Sequence, residues 1–377
     1  MNVYKKNDIE YKLEKFWRDD KYKRDDNNVL YPEPKEGTHW AGQEQFVDRL
    51  EIIQQYVIQR NMFKQYGHKK DCSLCDKKNI TTGRFQLNRI VWEDGLKHYI
   101  NVHNVKPTDD FIDFIYKFTL KDNKEIMRIK GNKYTKNDVT YIKLHRNQFM
   151  ILDALLRHGG YSKRYIEDNK GIYRYSEHAG LLDFNRFGIE KIIVSGNTTR
   201  VDRGDDEIYL PRNIPDAFSY EYIFHTHPPT PKPGGRAKDG ILYEFPSIGD
   251  IFHFIDHYNE GSTTGSLVLT SEGLYNIRSN RVDNKEIKVN EDRMFEEYMG
   301  IWRMVQNESI RKYGIDFNTY EFYSIISQNL TPINKLNKIL NKYDIQIDFY
   351  PRVRDSKNNW IIDSIYLPVR ITELLKK

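Results

Sequence analysis

Ile223-Phe-His-Thr-His-Pro228, followed after a loop by Pro246-Ser-Ile-Gly-Asp250, holds the residue types best suited to chemistry. On a strand, side chains two apart share a face, so His225 and His227 present both imidazoles to one side while Thr226 turns away. Ser247 stands where a helix N-cap belongs, and Asp250 falls in the first turn, so the two emerge together at the helix start. Two imidazoles and a carboxylate make three metal ligands. A fourth tetrahedral position then stays open, the arrangement of catalytic rather than structural zinc. Zinc lowers the pKa of its water from about 15.7 toward about 7. A carboxylate must still move the proton, and Glu177, beside the apolar run Ala179-Gly-Leu-Leu182, is the candidate. The competing reading is local: Ser-x-x-Asp before an apolar run is also a capping box, which stabilises a helix without any metal.

A second constellation lies upstream. Cys72-Ser-Leu-Cys75 precedes His98 and His103, offering two thiolates and two imidazoles, the ligand set of a closed structural zinc site. The twenty-two residues between Cys75 and His98 exceed the roughly twelve of a DNA-reading finger, so the spacing favours the metal over nucleic acid. A redox Cys-x-x-Cys, or unconnected thiols with His98 in the core or on the surface, are the other readings. His68, just before Cys72, is a further possible partner. His253 and His257 form a His-x-x-x-His pair on the helix after Ser247. No Glu follows His253, so the pair reads as helix surface or as support behind the ligands. Asp205, Asp206 and Glu207 sit in a Gly-containing turn and read as solvated.

The elements that must position these groups follow from periodicity. Residues 1–37 are charged and Asn-rich and read as a tail or partner-binding arm, with one helical candidate at Glu10–Trp17. Residues 38–120 read as a helical module carrying the Cys2His2 site: one amphipathic helix over Gln43–Phe63 ending at Gly67, and another opened by Pro107-Thr-Asp-Asp. After a polar linker near Lys121–Asp138, the segment 125–282 alternates short strands with helices at Arg146–Leu156 and Ser247–Tyr258. That alternation predicts an α/β domain around a largely buried sheet. Residues 283–377, with a long helix over Asp292–Tyr313 and strands near Ile345 and Trp360, read as an α+β C-terminal extension.

Glu177-x-x-Gly180-Leu-Leu, His225-Thr-His-Pro228, Ser247-x-x-Asp250 and Ser266-Leu-Val-Leu-Thr-Ser-Glu-Gly-Leu-Tyr275 together resemble, in order, the JAMM or MPN+ metalloprotease domain over about 125–282. The resemblance implies an MPN-like mixed β-sheet flanked by helices, zinc held by His225, His227 and Asp250, and Glu177 as proton carrier. It also implies that Ser247 donates to the oxyanion. The implied substrate is a conjugate of ubiquitin or a ubiquitin-like protein; the alternative is a non-enzymatic MPN-type scaffold that binds a partner through the terminal extensions. One departure is the loop Pro228–Pro246, nineteen residues long, where the family's loop is shorter. Closing it costs only roughly 1 kcal/mol more. Its Pro and Gly content, with Lys232, Arg236 and Lys238, suits either a substrate-facing flap or a passive surface loop.

Composition sets the limits. A 377-residue chain with 59 Lys+Arg against 54 Asp+Glu carries a formal charge of +5, too slight and too interspersed to argue for nucleic acid. No apolar run reaches the length of a membrane span, and the first residues are too charged for a secretory signal. The expectation is a soluble intracellular protein of cytoplasm or nucleus. The bias toward Lys, Asn, Ile and Tyr suggests an AT-rich genome, such as that of a large virus acting in its host cell.

Overall fold

The computed structural model describes residues 1–17, 24–118, 127–129, 132–134, 139–159, 165–167, 172–185, 188–196, 199–201, 219–227, 230, 232–280 and 285–370. The chain is mixed α/β and divides into two compact units, Met1–Ile129 and Lys130–Lys377. Among the described residues no helix is long and apolar enough to cross a membrane. The acidic turn at Asp205, Asp206 and Glu207, and most of the linker expected over 121–138, lie outside the described residues.

In the first unit, strands β1 (Asn2–Lys6), β2 (Ile9–Glu14), β3 (Phe63–Lys70), β4 (Thr81–Leu87) and β5 (Ile90–Glu93) form one sheet in the order β1-β2-β5-β4-β3. Residues 2–14 therefore belong to this sheet and are not a free arm, and Glu10–Trp17 is not helical. Asn7 and Asp8 both take positive φ, 50° and 60°, which makes the tight two-residue turn that joins β1 to β2. Glu14 then draws β2 inward: it is fully buried and accepts from the Thr108 N–H at 2.8 Å and its hydroxyl at 2.6 Å. Helix α1 (Gln43–Gln59) buries Phe46, Leu50, Ile53 and Val57, the face its spacing requires. It stops at Arg60, with Asn61 in the left-handed region; Gly67 belongs to β3 instead. Helices α2 (Leu96–His103) and α3 (Asp109–Lys117) follow, then a short strand β6 (Met127–Ile129). Thr108 caps α3 through its side-chain oxygen, as the Pro-Thr-Asp-Asp start implies. The module expected to be helical is thus α+β.

The second unit opens with β7 (Asn132–Tyr134), β8 (Val139–Leu144), α4 (Arg146–Arg157), β9 (Tyr165–Glu167), β10 (Ile172–Glu177), β11 (Ala179–Asn185), β12 (Gly188–Val194), β13 (Thr199–Val201) and β14 (Tyr222–Thr226). It continues with α5 (Ile248–Glu260), β15 (Gly265–Leu269), β16 (Gly273–Ser279), α6 (Glu291–Tyr313), α7 (Thr319–Glu321), α8 (Thr331–Leu340) and β17 (Ile345–Pro351). Strands β18 (Val353–Arg354), β19 (Trp360–Ile361) and β20 (Ile365–Arg370) end it, with β20 paired to β8. Its main sheet runs β12-β11-β14-β15-β16-β17. Only β14 and β15 are parallel there, and α5 is the crossover between them. Both strands are buried along their whole length, the polar His225, Thr226 and Ser266 included.

The cross-strand register decides which way the site faces. His225 stands beside Val268, Val268 beside Tyr275 and Tyr275 beside Phe349. Val268, Tyr275 and Phe349 belong to the same buried cluster as Ile251, Phe254 and Ile255 of α5. The imidazole of His225 therefore points to the α5 side. The segment expected as a C-terminal extension is part of this domain: β17 is the sheet's sixth strand, and Met294, Tyr298, Leu336 and Leu340 of α6 and α8 fill the same cluster. Behind the sheet, Arg352 binds Asp153 of α4 bidentately at 2.7 and 3.0 Å and donates to the Thr270 and Ser271 carbonyls, pinning the turn between β15 and β16.

Candidate metal centres

His225 and His227 sit at the carboxyl end of β14, where the loop to α5 leaves the sheet. Their Nε2 atoms lie 3.2 Å apart. Asp250 Oδ1 lies 3.1 Å from His225 Nε2, and Oδ2 3.3 Å from His227 Nε2. Two ligands about 2.0–2.1 Å from a tetrahedral ion stand roughly 3.3–3.4 Å apart, so the three side chains already hold the spacing a zinc ion needs. The tautomer fits as well. His227 Nδ1 lies 3.1 Å from the Glu244 carbonyl oxygen, which can only accept. Nδ1 must carry the hydrogen, leaving the Nε2 lone pair for a cation.

Electrostatics agree. Burial alone would push the Asp250 carboxyl up, but the two imidazoles override it and hold the group well below the usual carboxylate range. Burial would push His227 down, yet Asp250 and then Glu177 outweigh it and raise its pKa to about 10. The cage as a whole favours positive charge.

Glu177 reaches the same place from the neighbouring strand. Ala179 pairs with His225, and the Thr226 N–H donates to the His178 carbonyl at 2.9 Å. Continuing that antiparallel register sets Glu177 beside His227. Its carboxyl is pushed up by burial, against the pull of the two histidines, the direction a proton carrier near neutrality needs. Gly180 allows the close strand approach: a Cβ there would lie 2.0 Å from the Ile193 carbonyl oxygen. Ser247 is the N-cap of α5, its hydroxyl oxygen accepting from the Asp250 N–H at 3.1 Å, while Asp250 Oδ2 accepts from the Ser247 N–H at 2.6 Å. The capping box is therefore real. It does not compete with chemistry, because the cap uses a hydroxyl lone pair and leaves the O–H free to donate.

His253 and His257 lie half-buried on α5 with ring centroids 4.7 Å apart. Burial first, then His257 and His225, lower His253 to about 4, so it stands neutral behind the ligands. Within the long loop, residues 235–239 form a 3-10 turn with Ala237 buried, and Arg236 pairs with Glu244 at 2.9 Å.

In the first unit, Cys72 Sγ lies 3.3 Å from His103 Nε2, and Cys75 Sγ 3.5 Å from His98 Nε2. One ligand atom from each of the four residues falls within 4.8 Å of all the others. A thiolate and an imidazole on one tetrahedral zinc stand roughly 3.6 Å apart, so these two Cys–His pairs stand near the ion's spacing. The turn after β3 is shaped by Asp71, which accepts from the Asn79 N–H at 2.9 Å, and by the Leu74 N–H aimed at Cys72 Sγ at 3.4 Å. Gly95 lets α2 start against β4, since a Cβ there would meet Thr81 Oγ1 at 1.9 Å. The cysteines are not bonded to each other, and His68 stacks on Tyr66 instead of joining them. Sequence reasoning missed Glu36, whose carboxylate lies 3.2 Å from His103 Nδ1 and can orient that ring. It missed the Glu244 carbonyl too; a backbone acceptor leaves no side-chain signal.

Fold and side chains together define an α/β protein with, among the described residues, two clusters of side chains that could hold a metal, one of three groups and one of four. The chain is 34% identical over 334 residues, 85% of its own length and 93% of the relative's, to uncharacterized protein R413 of Acanthamoeba polyphaga mimivirus, and it belongs to that protein's family. No protein-family model matches the sequence and no solved structure matches the fold.

Proposed function

We propose that this protein is a zinc-dependent isopeptidase or peptidase of the JAMM type, with an MPN-like catalytic domain. One observation carries the reading: His225, His227 and Asp250 converge at ligand spacing with half-buried Glu177 beside them. Zinc held there would supply Lewis acidity and a water acidic enough to ionise near pH 7. Glu177 would take the proton from the attacking water and later give it to the nitrogen of the leaving amine. The Ser247 O–H would donate to the carbonyl oxygen as negative charge develops on it. Cys72, Cys75, His98 and His103 would hold a second zinc with no open position, a structural role. The substrate class is a conjugate of ubiquitin or a ubiquitin-like protein. Kinship with a mimivirus protein supports action inside a host cell.

The test is cleavage of ubiquitin dimers of every linkage by the zinc-loaded protein, beside Glu177→Gln. Cleavage that falls by about 10²–10⁴ in that variant, with its zinc retained, is the expected result. Zinc bound at the triad with no dimer cut would point to another conjugate or to a partner-binding scaffold.

A further inference from the structure

Between the two halves of the proposed catalytic site runs a strap, residues 242–246, whose polar groups are held from far away in the sequence. The Glu244 carbonyl takes His227 Nδ1, and three residues later the chain enters the Ser247–Asp250 cap. Four fixings hold it. The Glu244 N–H donates to Glu272 Oε1 at 2.7 Å. Gln306 of α6, 1% exposed, accepts from the Leu242 and Tyr243 N–H groups at 2.9 and 3.1 Å and donates back to the Tyr243 carbonyl at 2.7 Å. The Tyr298 hydroxyl, also on α6, donates to the Pro246 carbonyl at 2.6 Å. The Tyr243 hydroxyl donates to the Ile326 carbonyl at 3.0 Å.

We infer that Gln306 and Tyr298 are positioning residues of the His225/His227/Asp250 centre, and that α6 serves as its outer scaffold. The proposal rests on the metal reading of that centre. The physical ground is directional. A side chain making three hydrogen bonds to one short backbone segment fixes the planes of its peptides, and the Glu244 carbonyl direction sets the plane and tautomer of the His227 ring. Simple packing would have been met by an apolar residue at 306. A buried amide is instead matched to two N–H groups and one carbonyl, which would be orphaned without it.

The experiment measures zinc affinity by competition with a chromophoric chelator and zinc per chain by elemental analysis, with His225→Ala defining the count without the triad. In Gln306→Leu the triad should bind zinc about 10–100-fold more weakly. Gln306→Glu, which keeps the acceptor and loses the donor, should fall between that variant and wild type, and the cysteine site should keep its zinc throughout. Tyr298→Phe removes one hydroxyl and carries the test if Gln306→Leu does not fold; it too should loosen the triad. Val305→Ala, a truncation of the buried neighbour on the same helix, should lose stability and keep the affinity. Unchanged affinity in folded Gln306→Leu, or in Tyr298→Phe where that variant stands in, overturns the proposal, as does equal loosening in Val305→Ala. A wild type with the same zinc count as His225→Ala overturns the catalytic reading itself, and the positioning role with it.

Discussion

Ser247 allows the helix-capping role to be separated from the proposed catalytic one, because the two would use different atoms. Its oxygen accepts from the Asp250 N–H, while its hydroxyl hydrogen is what an oxyanion would need. Ser247→Ala removes both, which should cost about 1 kcal/mol of stability from the lost cap. It should also cost about 10²–10³ in kcat, or about 2.7–4 kcal/mol of transition-state stabilisation, from the lost donor. Ser247→Asp keeps a good cap but has no proton to give, so it should fold like wild type and turn over as poorly as the alanine variant. Ser247→Thr should keep both. Urea midpoints give the first quantity, and kcat on the fastest-cut ubiquitin dimer gives the second, with bound zinc measured for each. An aspartate variant that turns over at the wild-type rate, or an alanine variant that loses stability alone, would refute the catalytic role and leave Ser247 a cap.

Two further outcomes follow from buried groups. Burial, and then the Glu244 carboxylate, push Glu272 up to about 7 from an ordinary 4.5. A raised carboxyl favours folding fully below the unfolded value and loses that contribution as pH climbs through the folded one, here a loss of about 3 kcal/mol between pH 4.5 and 7. Glu272→Gln should therefore gain on wild type in urea unfolding at pH 8 and not at pH 4.5; an equal difference at both would show that the carboxylate is not the cause. In the first unit, Cys72→Ser should lower zinc by one ion per chain and weaken resistance of residues 71–104 to proteolysis, whereas retention of that ion would remove Cys72 from the ligand set.

Much of the candidate site was legible because its parts are local. Period-two geometry put His225 and His227 on one face, an N-cap pattern brought Ser247 and Asp250 together, and Cys72-x-x-Cys75 with His98 and His103 carried its own spacing. These patterns act within a strand, a helix turn or a short loop, where backbone geometry alone fixes relations between side chains. The first strands were misread because β2 lacks clean alternation: Ile9 is exposed while Leu13 and Glu14 are both buried, and Glu14 finds its partner Thr108 ninety-four residues away. The Asn7-Asp8 turn was the available signal.

The sequence by itself determined which residues are candidate ligands, the helix that presents Asp250 and the buried character of β14 and β15. Only the tertiary structure decided that β17 joins the central sheet, that α6 reaches the strap through Gln306 and Tyr298, and that Glu244 and Glu36 orient the two histidines. Such pairings join backbone groups and side chains brought together by packing, and no local period encodes a hydrogen bond made across sixty residues of chain.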